Sequence, residues 1–73
     1  MHNTVDTILA GYVRRGNQGG TIKVSISERA ISDCERYTTA DGETYIPLVI
    51  NLSLLRQVMD GERVVTTISQ NRD

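Results

Sequence analysis

The densest run of hydrophobic residues in the chain alternates first and then changes period. Ile46, Leu48 and Ile50 recur at every second position, which is the spacing of side chains on one face of a β-strand. From residue 52 onward, the apolar residues follow helical spacing instead. The pattern predicts a strand over residues 44–51 that leads directly into a short helix over 52–60, and together they form the dry side of a sheet capped by a helix.

Both ends of the predicted helix carry a recognised signal. Asn51 and Ser53 each have a side-chain oxygen that can accept a hydrogen bond from an N–H of the first turn. Gly61 can adopt the left-handed conformation that commonly ends a helix. The apolar stripe of this helix consists of Leu52, Leu55, Val58 and Met59.

Pro47 interrupts the alternating segment and affects its edge. Proline has no N–H, so within a sheet it lies at an edge or a bulge. Because backbone groups of an antiparallel strand point to alternate neighbours, the even-numbered residues 46–50 are predicted to pair inward, and the side carrying Pro47 is predicted to face no strand. The candidate edge for contact with a second copy is therefore Tyr45, Pro47 and Val49.

The first third of the chain has the pattern of a long β-hairpin over residues 5–27. Its first strand has no cleanly polar face, which is expected if the strand is covered on both sides or if Gly11 marks a bulge that switches the faces. The turn is Gly16–Gly20, where glycine and asparagine supply positive φ. In the second strand, the side chains expected to face the core are Ile22, Val24 and Ile26.

The remaining segments complete an α+β domain. Residues 28–35 favour a second short helix, with an extended conformation of residues 30–39 as the alternative. Asp41-Gly42 centres a second hairpin, and Arg63–Ser69 has the pattern of a final strand. The order predicts an antiparallel sheet of four or five strands with helical cover on one side. A small sheet curled into a barrel is the alternative.

Size and composition narrow the classes of function. A chain of 73 residues without Trp or Phe forms one small domain with a limited core, so a homodimer is the expected remedy. The formal charge of −1 creates no overall basic field. No apolar stretch is long enough to span a membrane and no secretory signal is present, so the protein is expected in the cytoplasm. Residues 1–4 and 70–73 are polar and are expected to fray.

Residues suited to catalysis or metal binding are sparse. His2 is the single histidine and has no partner nearby in the sequence. Cys34 lies between two carboxylates without a base beside it, so it is expected to be a buried structural residue. Asp41 and Glu43 form a close acidic pair that is expected to be solvated. No enzymatic activity, metal or cofactor is therefore predicted.

A basic hairpin tip has the clearest link to a ligand. Arg14 and Arg15 precede the glycine-rich turn, with Tyr12 behind them and Lys23 across the hairpin. Arginine can donate two parallel hydrogen bonds to a phosphate and can stack on a base, and an aromatic ring can also stack on a base. The leading hypothesis is a non-catalytic interaction module that acts as a homodimer with an unidentified partner. Its dimer surface is predicted to be either the edge near Pro47 or the outward face of the N-terminal hairpin. The alternative is a nucleic-acid-binding protein that uses Tyr12, Arg14, Arg15 and Lys23.

Overall fold

The computed structural model describes residues 6–72 and contains two antiparallel sheets and two helices. The chain order is β1 (Asp6–Arg15), β2 (Ile22–Ile26), α1 (Glu28–Asp33), β3 (Tyr37–Thr38), β4 (Thr44–Tyr45), α2 (Leu52–Asp60) and β5 (Val65–Arg72). The larger sheet has the spatial order β2-β1-β5, and β3 and β4 form a separate hairpin. The predicted α+β class is confirmed, and within residues 6–72 the strands do not close into a barrel.

Both helices begin at residues whose side chains cap them. The Oγ of Ser27 accepts the N–H of Ala30 at 3.1 Å, and the Oδ1 of Asn51 accepts the N–H of Leu54 at 2.9 Å. Gly61 ends α2 with a φ of 83°, as its position predicts. Both predicted helices are confirmed, and the extended alternative is wrong for the segment that α1 occupies.

β1 is the central strand of the larger sheet, and a bulge in it sets which side chains reach the core. Its register with β5 shifts between Leu9 and Gly11, which confirms the predicted bulge. A Cβ on Gly11 would collide with the carbonyl oxygen of Ser25, so the close approach of β1 and β2 requires glycine. Through the shift, Ala10 and Val13 are both buried although their parities differ.

The core lies between the larger sheet and the two helices. Both helices pack on β1, and α2 also packs on β5. The core residues are Ala10, Val13 and Ile68, with Leu48, Ile50 and Leu55 packed against them. Val24 pairs with the buried Val13 and therefore points to the helix side, as predicted. The prediction that the apolar side chains of β2 are buried is wrong. Ile22, Val24 and Ile26 remain between 38% and 48% exposed, because no described helix packs over β2.

The segment after β4 is not the regular strand that its alternation predicts. β4 contains only two residues, and further along one isolated bridge joins Val49 to Ser69. In that bridge Val49 donates to the Ser69 carbonyl at 2.7 Å and accepts the Ser69 N–H at 3.0 Å. The predicted inward pairing of the even-numbered residues is therefore wrong. The prediction that the side carrying Pro47 faces no strand is wrong as well, because the odd-numbered residues 47 and 49 bond to β5. Pro47, which lacks an N–H, is the physical reason that a continuous ladder does not form here.

Gln70 fastens this segment and the residues after α1 to β5. Its Oε1 accepts the N–H of Glu35 at 2.7 Å, and its Nε2 donates to the carbonyls of Glu35 at 2.9 Å and Pro47 at 3.1 Å. The side chain is 3% exposed. The prediction that residues 70–73 fray is wrong for the three that belong to β5. The expected frayed N-terminal end lies outside the described residues.

Candidate functional site

The larger sheet has one face under the helices and one exposed face. Side chains alternate along a strand, and Val13 is buried under the helices, so Tyr12 and Arg14 lie on the opposite face. The register of β1 and β2 pairs Arg14 with Lys23, which places two cations side by side. We call this exposed surface the outer face. It brings together three of the four residues that the sequence suggested for nucleic-acid contact.

No carboxylate lies on the outer face among the residues whose side chains the structure describes. The other side chains on this face are uncharged and belong to Thr7, Leu9, Ser25, Val65, Thr67, Ser69 and Asn71. The acidic side chains that the structure describes lie in or just after α1, in the β3–β4 hairpin and around the end of α2. This segregation makes the outer face locally positive, although the chain as a whole carries a formal charge of −1.

A cleft of about 460 Å³ lies at the end of the larger sheet, beside the turn of the first hairpin. Three of its lining residues are arginines: Arg14, Arg15 and Arg63. The others are Gly16, Asn17, Val58, Gly61 and Val64. We call this the basic cleft. None of its lining residues is acidic, although Asp60 and Glu62 are close to it in the chain.

Arg15 enters the basic cleft from the helix side of the sheet. Its Nη1 donates to the carbonyl of Met59 at 3.3 Å, near the end of α2. A cation is favourable there because the last carbonyls of a helix carry partial negative charge. Arg15 therefore helps to hold α2 against β1. This bond uses one of the five N–H donors of the guanidinium, so an arginine held in this way can still bind an anion.

Arg63 is the cleft residue that the sequence did not indicate. Its Nε donates to the carbonyl of Val65 at 2.9 Å, which holds the side chain beside the start of β5. β5 pairs with β1 so that Val65 lies opposite Arg14. This pairing joins two parts of the chain that are far apart in sequence, and no local pattern predicts it. Within residues 6–72, none of the three cleft arginines forms an ion pair with a carboxylate.

A second cavity, of about 390 Å³, lies over the bulge of β1. It is lined by Leu9, Ala10, Gly11, Tyr12, Ser25, Ile26 and Ser27. We call it the bulge notch. Leu9 and Tyr12 flank the glycine backbone, and the Tyr12 side chain is 46% exposed. The notch therefore offers an aromatic ring and apolar walls at one end of the row that continues through Arg14 into the basic cleft.

The three residues suggested as a dimer edge do not form one continuous edge. Tyr45 stacks on Tyr37, with ring centroids 5.6 Å apart. The carbonyl of Pro47 accepts from Gln70, and the backbone of Val49 pairs with β5. Their side chains are exposed, and contact between them and a second copy stays a prediction.

Two other titratable candidates, Cys34 and Asp41, form hydrogen bonds to groups close to them in the chain. Cys34 is buried, and its S–H donates to the carbonyl of Ala30 at 3.4 Å. Asp41 accepts hydrogen bonds from the Thr39 hydroxyl and the Glu43 N–H, and because these bonds favour the charged carboxylate they hold the pKa of Asp41 below its ordinary value. Both groups therefore stabilise local structure, Cys34 at the end of α1 and Asp41 in the β3–β4 turn.

Other classes of site receive no support from the described part of the chain. Residues 6–72 contain no group of three or more His, Cys, Asp or Glu placed to hold a metal ion. No helix within the same residues is long and apolar enough to cross a membrane. His2 lies outside the described residues. Comparison of the chain with protein-family models, curated proteins and solved structures finds no match. Functional inference therefore depends on the basic cleft, the outer face and the bulge notch.

Proposed function

We propose that the protein binds single-stranded nucleic acid, with phosphates in the basic cleft and along the outer face and a base in the bulge notch. The observation that carries this proposal is the basic cleft, where three arginines converge without a carboxylate in the lining. Like charges that line one cleft repel each other, and an anion between them relieves that repulsion. The planar guanidinium also matches the oxygens of a phosphate group.

The continuity of the surface favours a chain-like ligand over a single small anion. Arg14 belongs to both the basic cleft and the outer face, so the positive surface extends from the cleft to Lys23. Tyr12 lies two residues from Arg14 on the same face, which is about 7 Å along a strand. A ring and a cation at this spacing can contact adjacent units of one polymer. Stacking of a base on an aromatic side chain contributes about 1–3 kcal/mol.

The shape of the surface favours a single strand over a duplex. The major groove of DNA admits a helix or a two-stranded ribbon. The outer face is the broad side of a three-stranded sheet, which is wider than either. A base can lie flat on Tyr12 only when it is unpaired and free to turn out. The half-exposed tyrosine beside an open notch therefore supports an unpaired ligand.

Fluorescence anisotropy with labelled single-stranded DNA and RNA at several salt concentrations tests the proposal. The double substitution Arg14→Ala/Arg63→Ala removes two phosphate contacts, so the slope of log affinity against log salt is expected to fall by about 1.4, at about 0.7 per contact for a single strand. Tyr12→Ala is expected to weaken binding by about 1–3 kcal/mol and to leave the slope unchanged, because stacking releases no counterions.

The double substitution Arg29→Ala/Arg56→Ala is the matched control. Both residues are exposed, lie on the helices outside the basic cleft and carry the same total charge. Equal losses of affinity in the control and in the cleft variant would mean that only net charge matters. No binding of the wild-type protein to either oligonucleotide at low salt would remove the proposal.

A further inference from the structure

The two edges of the larger sheet differ in what lies beyond them. Beyond β5 lies Val49, which pairs with Ser69, whereas within residues 6–72 no strand lies beyond β2. The apolar side chains of β2 also stay exposed, since the helices pack on β1 and β5. An uncovered apolar edge strand is a template for pairing with another chain. We call the free side of β2 the open edge.

The hydrogen bonds between β1 and β2 determine which backbone groups face the open edge. Gly16 donates to the carbonyl of Thr21 at 2.9 Å, and Ser27 donates to the carbonyl of Ala10 at 2.8 Å. Backbone groups alternate in an antiparallel ladder, so the odd-numbered residues of β2 point their N–H and C=O groups toward β1. The groups of the three even-numbered residues therefore point to the open edge.

We propose that two copies of the protein pair through their open edges, antiparallel, about a two-fold axis at Val24. In this register Val24 lies opposite Val24 of the second copy, and Ile22 lies opposite Ile26. Every outward-pointing N–H and C=O of β2 then has a partner. The apolar side chains meet on the inner side of the joined sheet, and Lys23 meets Ser25 on the outer side.

Neighbouring registers are less favourable for stated physical reasons. A two-fold axis at Lys23 would place two lysines opposite each other, and like charges directly across strands destabilise a pair. An axis at Ser25 would place Ile22 opposite Glu28, which belongs to α1 and has no extended backbone to offer. The axis at Val24 alone matches apolar with apolar residues and polar with polar residues along the whole of β2.

The occupant of the open edge is a second copy because the strand is complementary to itself. β2 has the sequence Ile-Lys-Val-Ser-Ile, whose apolar and polar positions are the same in both directions. A two-fold interface requires this kind of self-complementary surface. Pairing would join two larger sheets into one continuous sheet and place both outer faces on the same side. With a strand of 5 residues, the interface is small and the dimer is expected to be weak and dependent on concentration.

Sedimentation equilibrium over a range of protein concentrations tests the dimer, and charge substitutions at Val24 test the axis. Val24→Lys and Val24→Glu each place two like charges opposite each other, so each variant alone is expected to raise the dissociation constant at least tenfold. An equimolar mixture of the two variants is expected to restore the dimer, because a lysine then faces a glutamate. This rescue depends on the axis lying at residue 24 and does not depend on nucleic-acid binding.

Val64→Lys is the matched control. It makes the same chemical change at an exposed valine outside β2 and is expected to dimerise like the wild type. Circular dichroism checks that each variant folds. Val24 is 48% exposed, so a longer charged side chain can reach water from that position without entering the core.

Val24→Cys provides a second measurement that does not depend on the charged variants folding. The Cα atoms of a hydrogen-bonded antiparallel pair lie about 5.5 Å apart, which suits a disulfide. Under oxidising conditions Val24→Cys is expected to cross-link two copies, and Lys23→Cys is not. The native Cys34 is buried and does not compete. A wild-type protein that stays monomeric at hundreds of micromolar, or a Val24→Lys/Val24→Glu mixture that stays monomeric, would overturn the proposal.

Discussion

The two edges of the larger sheet show that apolar sequence and burial do not coincide in this protein. β5 is rich in Thr, Ser, Gln and Asn, yet Thr66, Ile68 and Gln70 are buried in it. β2 alternates apolar and polar residues more cleanly, yet all of its residues are exposed. The difference comes from what covers each strand. β5 is covered by α2, the Val49 bridge and the Gln70 hydrogen bonds, whereas no helix within residues 6–72 packs over β2.

The length of the helices explains why the cover is one-sided. α2 has 9 residues and is about 14 Å long, whereas β1 has 10 residues and spans about 33 Å. α1 is shorter still. Two helices of this size cannot cover a three-stranded sheet, and they pack on β1 and β5. The edge that is left open is the one at which we propose that a second copy pairs.

The largest expected effect comes from breaking the covered edge at Gln70. Gln70→Ala removes three hydrogen bonds of a side chain that is 3% exposed, and at about 1 kcal/mol each the free energy of unfolding is expected to fall by about 3 kcal/mol. Urea denaturation measures it. Asn71→Ala, which removes an exposed amide from the same strand, is the control and is expected to change stability by less than about 0.5 kcal/mol.

Smaller losses of stability are expected when a valine is replaced by alanine, and the loss should be larger in the covered region than in the open one. Val58→Ala removes two methyl groups from a site that is 1% exposed and is expected to cost about 2 kcal/mol. Val24→Ala, measured at low protein concentration, is expected to cost about 0.5–1 kcal/mol because its side chain is already half in water. Equal losses in thermal or urea unfolding would contradict the distinction between the two regions.

The third expected effect is a gain in stability at Thr66. Its Oγ1 is buried and has no hydrogen-bond partner in the described part of the chain. Thr66→Val keeps the shape and removes the unpaired hydroxyl, so the free energy of unfolding is expected to rise by about 1 kcal/mol. Thr67→Val, at the adjacent exposed position, is the control and is expected to be nearly neutral. A loss of stability in the Thr66 variant would show that the hydroxyl is satisfied in solution, for example by water.

Features of the fold that depend on local chemistry could be predicted from the sequence. Asn51 and Gly61 set the ends of α2, because an amide oxygen can cap the first turn and glycine tolerates positive φ. Gly11 indicated the bulge for a similar reason. Once the first hairpin was assigned, strand alternation was enough to place Tyr12 and Arg14 on the same face.

Features that depend on pairing between distant segments could not be predicted. Gln70 looked like part of a polar end, since nothing near it in the sequence indicates that its amide binds backbone groups of residues 35 and 47. Arg63 was not a candidate because only the pairing of β1 with β5 brings it to Arg14. The alternation of Ile22 to Ile26 was a correct signal for direction but contained no information on which strand the helices would cover.

The central position of β1 has a consequence for how the chain is made on the ribosome. Its first neighbour, β2, follows within a few residues, but its second neighbour, β5, is the last of the strands within residues 6–72 to be synthesised. At about 5–20 residues per second, roughly 3–11 s pass between the synthesis of β1 and that of β5. During that interval the nascent hairpin has two unpaired sides instead of one, and contacts so distant in sequence form slowly. We expect β1 to pair with β2 first and to complete its second ladder only after residues 65–72 have been made.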